Sequence, residues 1–185
     1  MPVLHLLAGP NGSGKTTLFE RVLGPATRLR FINADHLARE HWPGDEERHG
    51  HDASRLAAEE RAAAMEIGRS FVAETVFSHP SKVALVEEAR GLGYRVHLHV
   101  VIVPEELAVV RVVLRVRHGG HAVPEAKVRE RYRRLWPLVR SALAVAHEAT
   151  VYDNSSASRP FRVAARYGNG RILAGAAWPA WSPLP

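Results

Sequence analysis

The chain has 185 residues, 46% hydrophobic and 24% charged, with no cysteine and a formal net charge of +6 at pH 7. Those proportions suit one globular domain and exclude a disordered tail, a disulfide framework, a thiolate metal site and a thiol nucleophile. The opening MPVLHLLAGP lacks the features of a secretory signal, and no apolar run approaches the roughly 20 residues that span a bilayer, so the expectation is a cytoplasmic protein without membrane contact.

The first predicted element is a buried strand over 3–8. It runs into Gly9-Pro10-Asn11-Gly12-Ser13-Gly14-Lys15-Thr16, a complete GxxxxGK[ST] phosphate loop. Glycines let such a loop curl with its N–H groups pointing at phosphate oxygens, and the helix opening at Gly14-Lys15-Thr16 aims its positive end at the same anion. In this pattern Lys15 reaches the β- and γ-phosphates and the Thr16 hydroxyl ligates Mg²⁺, with Thr17 alongside. The expected cofactors are ATP and Mg²⁺. The guanine-reading Asn-Lys-x-Asp motif is absent from the sequence, which argues against a GTPase.

A second strand over 29–33 leads into Asn33-Ala34-Asp35. In a doubly wound sheet, ligands lie beyond the carboxyl ends of the strands. Asp35 is therefore expected to face the γ-phosphate and take the proton from an attacking hydroxyl. Capping the next helix is the other role open to it. After a helix over 51–68, the third strand, 70–75, ends in Glu74 and Thr75. Glu74 is expected in the same crevice, on the acceptor hydroxyl or on Mg²⁺ through water, and Asn33 and Thr75 are expected to contact the acceptor. A helix over 81–92 and a fourth strand over 94–103 follow.

Pro104-Glu105-Glu106 carries helix-start signals, although valines at 109, 110, 112, 113 and 116 favour strand by propensity. This predicted helix bears Arg111 and Arg115 at i,i+4, then Arg117 and His118-Gly119-Gly120-His121. The stretch reads as a lid over about 117–124 whose cations close on the triphosphate. Pro124 opens a helix with an apolar stripe of Val128, Tyr132, Leu135, Val139 and Leu143, which Pro137 is expected to kink or split. The fifth strand covers 149–152. A hairpin over about 161–174, turning at Tyr167-Gly168-Asn169-Gly170, and a surface-laid tail, WPAWSPLP, complete the chain. His97, His99, His118 and His121 lack a completing carboxylate spacing and read as packing and lid residues rather than a metal site.

Alternating strands and helices predict one α/β domain over 1–185 with the P-loop NTPase, nucleoside-kinase-like architecture. Its three layers comprise a five-stranded parallel sheet with helices on both faces, plus a C-terminal β-hairpin.

In order, GPNGSGKTT, FINAD, FVAET, RVHLHVVIVPEELAVVRVVLRVR, GGHAVP and VYDNS resemble the zeta-toxin family of P-loop kinases, over roughly residues 3 to 154. The resemblance implies transfer of the ATP γ-phosphate to a small molecule's hydroxyl, a UDP-N-acetylamino sugar in the best-known members, and an antitoxin that holds the enzyme off. By position, Lys15 and Thr16 handle phosphate and Mg²⁺, Asp35 activates the acceptor, Glu74 stands in the cleft and Arg115 is the first of two clamp arginines. Glu60 corresponds to a glutamate that some members carry before the third strand. The second clamp arginine falls at His121, so Arg117 or Arg129 is expected to substitute. Thr75-Val76-Phe77-Ser78-His79-Pro80 replaces the glycine, threonine and arginine with which the toxins hold the sugar nucleotide, so the chemistry transfers further than the substrate. No antitoxin segment precedes the loop, and the expected inhibitor, if there is one, is a separate protein.

Two rival readings stay open. Arg129, Arg131, Arg133, Arg134 and Arg140 suggest a nucleic-acid end kinase, although no recognised nucleic-acid module occurs. An ATP-gated binding module that uses the lid as a switch is the non-catalytic rival.

Overall fold

The computed structural model describes residues 1–117, 123–173 and 175–184. Strands β1 (Val3–Ala8), β2 (Arg30–Ile32), β3 (Phe71–Thr75), β4 (Arg95–Ile102) and β5 (Glu148–Asp153) pair in parallel in the order β2-β3-β1-β4-β5. Strand β6 (Arg162–Gly168) joins β5 antiparallel, and β7 (Arg171–Ile172) joins β6. The five parallel strands and the hairpin are as expected. The difference is that the hairpin extends the sheet to seven strands rather than standing beside it. Its turn uses Asn169 and Gly170, at φ 48° and 76°, a left-handed pair that suits the right-handed twist of a two-residue hairpin.

The helical segment after the phosphate loop runs as α1 (Lys15–Leu18), a π-helical turn (Phe19–Leu23) and α2 (Gly24–Thr27). The other helices are α3 (Ala34–His41), α4 (Gly50–Glu66), α5 (Ser81–Gly91), α6 (Glu105–Arg117) and α7 (Glu125–Val145). The valine-rich stretch is a helix because its start is satisfied and its inner side is buried. The Ala108 N–H donates to the Pro104 carbonyl at 3.0 Å, and Val109 and Val112 pack with Val128 of α7.

Helix α7 runs through Pro137 without splitting, which leaves a kink as the part of the expectation still open to this proline. Proline inside a helix costs about 3 kcal/mol. Against that, α7 buries Val128, Tyr132, Leu135 and Trp136 before the proline and Val139, Ala142 and Leu143 after it. Each large side chain so buried contributes roughly 1.5–3 kcal/mol, so packing on both sides of Pro137 outweighs the lost bond.

Alternation along β1 divides the core. Leu4, Leu6 and Ala8 join the large cluster with residues of α4, α5 and α7. Leu7 joins a smaller one with Leu18, Leu23, Phe31, Val72 and Val101 on the opposite face. The C-terminal tail is anchored more firmly than expected. Leu184 is buried in the large cluster, Trp178 and Trp181 pack against it, and Arg140 donates to the Pro183 carbonyl at 2.7 Å. No helix among the described residues is long and apolar enough to cross a membrane.

Candidate active site

The phosphate loop leaves the carboxyl end of the central strand β1 and is confined by its neighbours. A Cβ on Gly9 (φ 150°) would sit 2.5 Å from the Val101 carbonyl oxygen of β4, and one on Gly12 (φ 75°) 2.6 Å from that of Ala108 in α6. Only glycine admits both the backbone angle and the approach. The second contact docks α6 on the loop and brings Arg111 and Arg115 above it. Asn154, one residue past β5, donates from Nδ2 to the Ser13 carbonyl at 2.8 Å in a buried bond. Its role escaped the sequence reading; the only signal was its place at a strand end, within VYDNS. The side-chain oxygens of Asn11 and Ser13 are buried with no hydrogen-bond partner among the described residues.

Lys15 is 5% exposed, and its Nζ lies 3.7 Å from Glu74 Oε1 and donates to the Pro10 carbonyl at 3.0 Å. Burial pushes its pKa down, opposed chiefly by the Glu74 carboxylate. The parallel register Leu7↔Glu74 brings that carboxylate to the loop. The Thr16 hydroxyl donates to Glu74 Oε2 at 2.8 Å. Hydroxyl and carboxylate oxygens placed together at the start of α1 are the hard donors that Mg²⁺ favours. With the unpartnered Ser13 hydroxyl, which can donate, and a buried cation, the residues present fit a metal-bound polyphosphate.

The opposite wall belongs to α3 and α6. Asn33 Oδ1 accepts from the His36 N–H at 2.8 Å and so is the N-cap of α3. The capping role weighed for Asp35 therefore falls to Asn33, which also borders the cleft. Asp35 stands in the first turn of α3 with its side chain 72% exposed, and its Oδ2 lies 3.9 Å from Arg115 Nη1, a guanidinium 42% exposed. Thr75 Oγ1 accepts from the Phe77 N–H at 3.3 Å. Phe77 is fully buried with φ 64°, a conformation that costs on the order of 1–3 kcal/mol and persists because packing imposes it. This pins the segment that departs from the toxin pattern.

The cleft between these walls has a volume of about 1180 Å³ and takes in the loop, Asn33, Asp35, Glu74 and Thr75. Lys127 and Arg131 of α7 reach it as well. Arg129, one of the two expected substitute clamps, does not line the cleft. Its guanidinium makes two bonds to the Glu106 carboxylate at 2.6 and 2.8 Å and one to Glu125 at 2.9 Å, held by local carboxylates away from the cleft. Glu60 is likewise held by Arg30 at 2.7 Å. His121, the glycine pair of the lid and the side chain of Arg117 lie outside the described residues. At the acceptor end, Arg61 and Lys82 line the cleft. Burial pushes both pKa values down, and Lys82 is pushed further by Arg61.

Residues 1–163 match the model of a family described as zeta toxin. An uncharacterized protein of Haemophilus influenzae is 31% identical over 125 residues, 67% of this chain and 88% of its own length. A provisionally assigned kinase from Chloroflexus aurantiacus superposes with a TM-score of 0.65 at 18% identity, covering 85% of this chain and 91% of the other. A structure of the PezAT chromosomal toxin-antitoxin system of Streptococcus pneumoniae superposes with a TM-score of 0.66 at 17% identity, covering 90% of this chain and 72% of the other.

Proposed function

The chain belongs to the zeta toxin family of P-loop, kinase-like phosphotransferases, and on that premise we propose that it is an ATP- and Mg²⁺-dependent kinase acting on the hydroxyl of an anionic small molecule. One observation carries the reading. The Asp35–Arg115 pair, 3.9 Å apart, faces a phosphate loop in which Lys15 and Thr16 already converge on Glu74. A buried cation, a hard-oxygen pair, an exposed carboxylate and a mobile-length guanidinium in one cleft are the parts that phosphoryl transfer requires.

ATP·Mg²⁺ bound there would supply the phosphoryl group and a divalent charge upon it. The loop N–H groups and Lys15 hold the phosphates, and Thr16 and Glu74 are the residues to hold the metal. Asp35 orients the acceptor hydroxyl and takes its proton on a carboxylate oxygen. Arg115, with Arg111 one turn before it, balances charge developing on the transferred group.

Arg61 and Lys82 support the choice of acceptor class. Two cations in a partly desolvated wall, with no carboxylate paired to them among the described residues, suit an acceptor that brings its own negative charge. A UDP-N-acetylamino sugar, which the family resemblance implies, has that charge. The two side chains offer from α4 and α5 the cation that the 75–80 segment lacks. The nucleic-acid reading loses most of its footing, because Arg129 and Arg134 are engaged by glutamates, Arg133 pairs with Glu105 and Arg140 with the tail. The Streptococcus neighbour works within a toxin-antitoxin system. A separate antitoxin protein is accordingly the proposed partner, and the cytoplasm, where ATP and sugar nucleotides occur, the proposed location.

The test is transfer of labelled γ-phosphate to a panel of sugar nucleotides and other hydroxyl compounds. The expected result is Mg²⁺-dependent labelling of an anionic acceptor, reduced by Arg61→Ala or Lys82→Ala through a raised acceptor KM. Tight ATP binding with no acceptor labelled would favour the ATP-gated binding module instead.

A further inference from the structure

The sheet carries a second cluster of chemically able side chains, on the stretches of β1 and β4 that precede the phosphate loop and Val101. Strands β1 and β4 pair with His5 opposite His97 and Leu7 opposite His99, which puts the three imidazoles on one face. One ring nitrogen from each lies within 4.8 Å of the others, and His5 Nδ1 is 3.0 Å from His99 Nε2. Tetrahedral zinc holds imidazole nitrogens at about 2.0–2.1 Å, which sets neighbouring ligand atoms about 3.4 Å apart. The trio is close to that spacing without any movement of the strands. We propose that His5, His97 and His99 bind one divalent transition-metal ion of the zinc class, at a site separate from that of the nucleotide-bound Mg²⁺.

The ligand chemistry selects the ion. Three imidazoles with no thiolate suit zinc and its neighbours in the first transition row, and do not suit Mg²⁺, which takes oxygen. The outer contacts are of the kind that orient metal-bound histidines. His99, 2% exposed, has Tyr152 OH 3.3 Å from Nδ1, leaving Nε2 toward the cluster. His97 has Thr150 Oγ1 3.1 Å from Nε2 and a Glu148 carboxylate oxygen 3.6 Å from Nδ1, so either nitrogen can be steadied while the other binds. Burial lowers all three pKa values, that of His97 to about 4.

Access and a fourth position come from the same side. His97 borders a cavity of about 500 Å³ with Arg95, His147, Glu148 and Arg166. A water can complete the coordination from there. The rings stand as a ladder, with His97 and His99 stacked at 4.1 Å between centroids. Binding requires the ring planes to turn toward a common point and the His5–His99 hydrogen bond to give way to the ion. The ion would cross-link β1 and β4, the strands whose far ends hold the phosphate loop at Gly9 and Val101.

The experiment is calorimetric titration of the untagged, chelator-treated full chain with Zn²⁺ in excess Mg²⁺, alongside Co²⁺ absorption spectra and melting curves. One equivalent of Zn²⁺, the intense visible bands of tetrahedral Co²⁺ and a melting temperature that rises with Zn²⁺ are expected. His97→Gln, and His5→Asn combined with it, should weaken Zn²⁺ binding by at least about tenfold while ATP·Mg²⁺ binding stays as in the parent. An octahedral Co²⁺ spectrum, or no saturable Zn²⁺ binding, would overturn the site. So would unchanged affinity in the double variant, which would move the ion to a surface group such as His49 with Asp45 and Asp52. If the double variant does not fold, the His97→Gln single variant locates the ion, and affinity unchanged in it would overturn the site.

Discussion

The two walls of the cleft differ in how firmly they are held. On the donor side, Ser13 and Lys15 are buried, Gly9 and Gly12 are pressed against neighbouring backbone, and Asn154 ties the loop to the end of β5. On the acceptor side Asp35 and Arg115 are solvent-exposed and meet at 3.9 Å. Phosphate recognition is thus preorganised, where fixed dipoles yield most. The pair proposed for catalysis over it is left open, which suits the proposed closure on an acceptor. A rigid donor wall also means that its variants should lose function without losing the fold, while acceptor-wall variants should separate chemistry from binding.

Lys15→Ala should have the largest effect, a fall in transfer of about 10³-fold or more, because a buried charge on the phosphates is removed where water cannot replace it. Burial already disfavours this ammonium, so the melting temperature should hold or rise slightly. Near-parental turnover would take the lysine out of the donor wall. Asp35→Asn should cost about 10²–10⁴-fold in transfer with ATP affinity and melting unchanged, since the cap of α3 is Asn33. Should this variant keep full activity, Glu74 becomes the next candidate for the proton.

Arg115→Ala should lower turnover by about 10²-fold and weaken ATP binding much less, since its charge counts most in the transition state. A loss confined to ATP affinity, with turnover at saturation untouched, would place Arg115 in ground-state binding instead. The smallest effect on chemistry is expected for Asn33→Ala. It removes the α3 cap and should lower stability by about 1 kcal/mol, read by denaturant unfolding. Turnover should fall only as far as α3 carries Asp35 with it. A severe loss of turnover in a normally stable Asn33→Ala protein would instead make Asn33 an acceptor contact.

Much of this was legible locally. The phosphate loop is contiguous because one short curl of backbone must present several N–H groups to one anion. The five parallel strands and the helices between them follow from apolar runs and start signals of a few residues. The GPNGSGKTT, FINAD and FVAET pieces pointed to the family that the family match then showed. Other features depended on partners far along the chain. Valine propensity at 109–116 and Pro137 in α7 spoke against the helices that form; packing of Val109 and Val112 on Val128 overrode the first, and burial of α7 in the main core the second. Asp35 was the residue weighed as the cap of α3, and only the turn geometry gave that role to Asn33. Arg129 could have clamped phosphate until the fold set Glu105, Glu106 and Glu125 around it. Asn154 meets Ser13 across 141 residues, and His5 meets His99 across 94. Short-range patterns determine which backbone states a segment prefers. Which side chains stand together at a strand register depends on the whole sheet closing, and no local spacing encodes it.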